Sequence, residues 1–94
     1  MSTLFDSKVA PSADVMLRKV GDESILLDLK TERYLGLDDV ATRIWEVVTT
    51  AGSIQSAYDA LLIEFDVDPE RLREDLDEFV QVLLQLGLVH QDRA

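Results

Sequence analysis

Apolar residues recur along this chain with two periods, and the change between them falls close to residue 38. Before it, short runs alternate or cluster as strands do. The run DVMLRKV from Asp14 to Val20 suits one strand, and Gly21-Asp22 marks a turn. Ile25 to Leu29, β-branched and leucine-rich, predicts a second strand. Lys30-Thr31-Glu32 is a hairpin connection, and Arg33 to Leu37 is a third strand. Three short strands in succession predict an antiparallel meander.

After Leu37 the spacing changes from two to about 3.6. Asp38 or Asp39 can cap a helix with apolar positions at Val40, Ala41, Ile44, Trp45, Val47 and Val48, ended by Ala51-Gly52. Ser53 caps a second helix, whose stripe is Ile54, Ala57, Tyr58, Leu61, Leu62 and Phe65. Asp68-Pro69 opens a third, with the acid at the cap and proline at the first helical position. Its stripe is Leu72, Leu76, Phe79, Val80, Leu83 and Leu86. Gly87 takes the left-handed terminus, Leu88 folds back onto Leu83, and Leu88 to Gln91 forms a last short extended segment.

Strands followed by helices predict an α+β domain. The layout is winged-helix-like: a three-stranded antiparallel N-terminal sheet, then three helices. The domain is expected over residues 14–91. Residues 1–13 are expected to form a flexible tail, from which Leu4, Phe5 and Val9 could dock. A chain of 94 residues makes one domain and buries roughly 60–65% of its unfolded surface.

Composition narrows the function. Without cysteine, disulfides and thiolate metal sites are excluded. The opening residues lack the apolar core of a signal peptide and no apolar run is long enough to cross a bilayer, so a cytoplasmic protein is expected. The net charge of −10 repels phosphates, and there is no dense Lys/Arg stripe. A winged-helix DNA-binding protein, the rival from another class, needs a basic recognition helix, whereas the third helix here is acidic. Most of the acids read as solubility, and the sharper alternative is a preference for a basic or neutral partner.

The equipment of catalysis is absent. The sole histidine, His90, has no cysteine to activate, and there is no phosphate loop, dinucleotide fingerprint or zinc-protease helix. The acids Asp66, Asp68, Glu70, Glu74, Asp75, Asp77 and Glu78 lack the glycine and closing glutamate of a calcium loop. A solvated helix face explains them, and those in the first turn complement the helix dipole. No catalytic residue, metal ligand or cofactor is expected.

Four features remain. Asp28 is either an outward polar residue of a sheet whose other face is Ile25, Leu27 and Leu29, or a structural carboxylate accepting hydrogen bonds from the turn after it; the structural role is favoured. Trp45 reads as core. Tyr34 and Gly36 face outward if Leu35 and Leu37 face inward, and the opposite assignment is open. Gly36 in either case leaves room for another backbone. Finally, Val82 and Leu84 lie off the main stripe of the third helix, either because the domain surrounds that helix on two sides or because part of this surplus lines a groove beside an edge strand. In the second arrangement a peptide lays its backbone on Arg33, Tyr34, Leu35, Gly36 and Leu37, since an unpaired strand edge invites strand addition. Its apolar side chains meet Leu72, Leu76, Phe79, Val80 and Leu83, with Asp75 and Glu78 on the rim.

The ordered set ILLDL, KTERYLGL, DVATRIWEVV, the Gly52 break and SIQSAYDALLIEFDVDPERLREDLDEFVQVLLQLGLV resembles the PqqD-like family of peptide chaperones, the recognition elements for ribosomally made, post-translationally modified peptides. The resemblance covers about residues 14–90. The form LLDLKTERYLGLDDVATRIW looks most like the stand-alone members of lasso-peptide clusters, and less like the chaperone of quinone-cofactor biosynthesis, which serves a radical SAM enzyme. It implies that a precursor's leader peptide adds antiparallel to the third strand, in the cleft against the third helix. The implied partners are that precursor, a cysteine-protease-like leader peptidase and an ATP-dependent macrocyclase. The chain itself would deliver the leader and catalyse nothing.

Overall fold

The computed structural model describes residues 4–92. A turn of 3-10 helix at Leu4–Asp6 leads into β1 (Lys8–Pro11), β2 (Val15–Val20), β3 (Glu23–Asp28) and β4 (Tyr34–Leu37). The helices α1 (Asp39–Thr50), α2 (Ile54–Glu64) and α3 (Pro69–Gln85) follow, and β5 (Val89–Asp92) ends the described chain. β2, β3 and β4 form the expected antiparallel meander in that order, so β4 is an edge. The α+β class and the succession of three strands and three helices hold. Among the described residues no helix is long and apolar enough to cross a membrane.

Each helix starts where its capping residue stands. The side chains of Asp38, Ser53 and Asp68 accept from the backbone N–H of Ala41, Ser56 and Arg71, satisfying donors that the first turn leaves open. α3 ends in a Schellman motif: Leu88 N–H bonds Leu83 O at 3.0 Å and Gly87 N–H bonds Leu84 O at 3.1 Å. Gly87 adopts φ 73°, the left-handed conformation that glycine reaches without steric cost.

The N-terminal segment departs from the expectation of a tail over residues 1–13. Within its described part, β1 pairs antiparallel with β5, Val9 opposite Gln91. Leu4, Phe5 and Val9 are buried in the main core beside Trp45, Leu61 and Leu76. The Arg73 guanidinium lies 4.1 Å from the Phe5 ring centre and covers it from α3. Three apolar residues in the first nine are enough to anchor the segment, because the C-terminal strand supplies the backbone partners that a lone strand lacks.

The inward face of β3 is also not the more apolar one. Ser24, Leu26 and Asp28 are buried, while Ile25 and Leu27 are half-buried on the other side and Leu29 is exposed in the turn. The polar residues face inward because each has partners. Thr42 Oγ1 donates to Asp38 O at 2.7 Å, which leaves Ser24 Oγ to donate to Thr42 across 2.6 Å. This chain pins β3 to the start of α1. Asp28, far from pointing to solvent, accepts from the backbone N–H of Lys30 at 2.9 Å and of Thr31 at 3.3 Å, the structural role anticipated for it.

The Lys30 N–H is the main cause holding the Asp28 carboxyl below its ordinary value, against the opposing effect of burial. A lowered carboxyl pKa contributes stability that is present above the unfolded value of 3.8 and lost as pH falls through the folded one. Asp28→Ala is therefore expected to lower the thermal midpoint at neutral pH. The gap between wild type and variant should narrow progressively as pH falls below 3.8; a gap that stays constant in circular-dichroism melts contradicts this.

Candidate functional site

β3 covers one side of β4 with Leu27 opposite Tyr34, Leu26 opposite Leu35, Ile25 opposite Gly36 and Ser24 opposite Leu37. The other side of β4 has no strand partner among the described residues. In an antiparallel ladder, hydrogen-bonded and non-bonded pairs alternate. Asp28 N–H bonds Arg33 O at 2.9 Å, so the bonded pairs continue at Leu26–Leu35 and Ser24–Leu37. Tyr34 and Gly36 consequently turn their N–H and C=O groups to the open edge.

Side chains follow the same alternation. Leu37 is buried and Leu35 half-buried, whereas Tyr34 is 70% exposed and Gly36 faces outward. A Cβ built on Gly36 would meet nothing within 4 Å. Of the two assignments the sequence allows, the structure selects the one with the leucines inward.

A groove of about 370 Å³ runs beside this edge. One wall is Leu35, Gly36 and Leu37 with Asp38 and Ala41 at the entry to α1; the other is Asp75, Glu78, Phe79 and Val82 of α3. These α3 residues recur at i, i+3, i+4 and i+7, a single helical stripe. Arg33 closes the end near Tyr34 by donating from Nη1 to Gln85 O at 3.3 Å. At the far end Asp75 also borders a smaller apolar cavity with Val40 and Ile44 of α1.

The groove thus brings together Leu35, Gly36, Leu37, Asp75 and Phe79 of the expected contact residues, with Arg33 and Tyr34 at its mouth. Leu72, Leu76, Val80 and Leu83 are not in it: they are buried in the core. Their stripe lies about one residue, roughly 100°, around the helix from the groove stripe, and Phe79 belongs to both. Asp38 and Ala41 line the groove but were absent from the expected contacts. The signal for them is that the helix cap follows directly on Leu37, so the first turn of α1 must border the end of the strand. Of the two residues off the main stripe, Val82 lines the groove, whereas Leu84 packs against the core.

The chain matches the family described as coenzyme PQQ synthesis protein D (PqqD) over residues 23–89. Among solved structures, TbiB1 in complex with the TbiA(beta) leader peptide is similar at a TM-score of 0.76 and 32% sequence identity, over 86% of this chain and 94% of TbiB1. No match was found among curated proteins. Residues 23–89 take in β3, β4 and all three helices, and with them both walls of the groove, so the chain belongs to the PqqD family.

Proposed function

We propose that this protein recognises the leader peptide of a ribosomally made precursor by strand addition to β4. The observation that carries this is the pairing of an open strand edge with an apolar-floored groove on the same side. Backbone hydrogen bonds to Tyr34 and Gly36 supply sequence-independent affinity, and the groove selects side chains. The likeness to a leader-bound TbiB1 supports a leader peptide as the ligand. The leader runs antiparallel to β4, as the family resemblance implies. The lasso-type resemblance of β3, β4 and α1 adds a leader peptidase and an ATP-dependent macrocyclase as recipients, in the cytoplasm. The chain holds the substrate and performs no chemistry; tethering raises the local concentration of the cleavage site at the peptidase. A DNA-binding role is disfavoured because Glu70, Glu74, Asp75 and Glu78 lie exposed along α3, where a recognition helix needs cations.

The test is titration of the labelled cognate leader by fluorescence anisotropy. Saturable binding is expected, and Phe79→Asp, which places a charge on the apolar floor, should weaken it at least about tenfold. A Phe79→Asp protein that is folded by circular dichroism yet binds with wild-type affinity overturns the proposal.

A further inference from the structure

We infer that the groove reads a basic residue followed two positions later by an apolar one, in that N-to-C order. This rests on strand addition to β4 and names the kind of peptide segment it takes. The two ends of the groove differ in chemistry. The contact of Arg33 with Gln85 sets the C-terminal end of α3 beside the start of β4. Asp75, which shares a cavity with Val40 and Ile44, lies at the opposite end, where α1 begins. From the Tyr34 end to the Asp38 end, α3 therefore presents Val82 and Phe79 first, then Glu78 and Asp75. The distances agree: seven residues of helix and three of strand each span about 10 Å.

The acidic end is only partly neutralised. Asp38 uses Oδ1 to cap α1, accepting from Ala41 N at 2.7 Å. Asp75 pairs with Arg71 at 3.4 Å, in an ion pair exposed on both sides. Glu78 has no ion pair among the described residues. Three carboxylates against one guanidinium leave that end negative, while Arg33 stands at the other. A strand antiparallel to β4 places its N-terminal part over Leu37 and its C-terminal part over Leu35. Successive groove-facing side chains lie at i and i+2, so the first meets Glu78 and Asp75 and the second meets Phe79 and Val82.

The experiment uses short labelled threonine-rich peptides carrying Lys-Thr-Leu or, with the same composition, Leu-Thr-Lys. At low salt the Lys-Thr-Leu peptide is expected to bind about fivefold tighter. That preference should vanish in Asp75→Asn/Glu78→Gln and shrink in high salt, where exposed charges are screened. Equal affinity for the two orders, or a preference for Leu-Thr-Lys, overturns the inference while strand addition stands. If neither peptide binds and the cognate leader also fails, strand addition fails and the inference falls with it; if the leader alone binds, only the inference falls.

Discussion

Replacing Gly36 by proline is expected to weaken leader binding by about thirtyfold while leaving the protein folded. Gly36 lies opposite Ile25 in a non-bonded pair, so its N–H serves the open edge and not β3. Proline removes that donor without breaking a bond inside the sheet, and its position on an edge strand is where sheets accept it. The visiting strand loses more than the domain does. One of its carbonyls is left without a donor, at about 1–3 kcal/mol, and the ring obstructs close approach of its backbone. A loss near 2 kcal/mol corresponds to about thirtyfold in affinity. Gly36→Ala is the control: it keeps the N–H, and its methyl enters space that nothing occupies within 4 Å. It should bind within about threefold of wild type. A folded Gly36→Pro protein with undiminished leader affinity in anisotropy titrations would show that the peptide does not use this edge.

The parts of this site visible in the sequence are those governed by local rules. Caps at Asp38, Ser53 and Asp68, and the glycine at 87, act through bonds within a few residues, so the helices are legible where they occur. The edge strand and the rim acids Asp75 and Glu78 follow from strand order and helical spacing. Which residues share a face is harder. Leu72, Leu76, Val80 and Leu83 belong to a stripe next to the one that lines the groove, and a wide apolar face does not reveal where core ends and groove begins. The face of β3 is set by Thr42 and by the N–H groups of Lys30 and Thr31, partners that satisfy Ser24 and Asp28 only once α1 and the turn are in place. An apolar count favours the opposite face because it does not register such bonds.

Removing residues 1–11 is expected to unfold the domain or lower its thermal midpoint by more than 10 °C, roughly what a loss of several kcal/mol produces at this size. These residues read as a tail because they are short, contain proline and serine, and show little periodicity. What orders residues 4–11 is distant in sequence: β5 pairs with β1 from the far end of the chain, and Ile54 N–H bonds Ser7 O at 2.9 Å where α2 begins. Deletion removes the buried side chains of Leu4, Phe5 and Val9, each contributing about 1.5–3 kcal/mol. It also strips β5 of its partner, Val89 included, and opens the core cluster that these side chains share. Against a total stability of about 5–15 kcal/mol, little margin remains. The effect should reach the peptide site indirectly, since α3 packs on this same core and the groove exists only while α3 is held beside β4. A truncated protein that melts cooperatively at the wild-type temperature, and still binds leader, would show that residues 14–91 form the folding unit on their own.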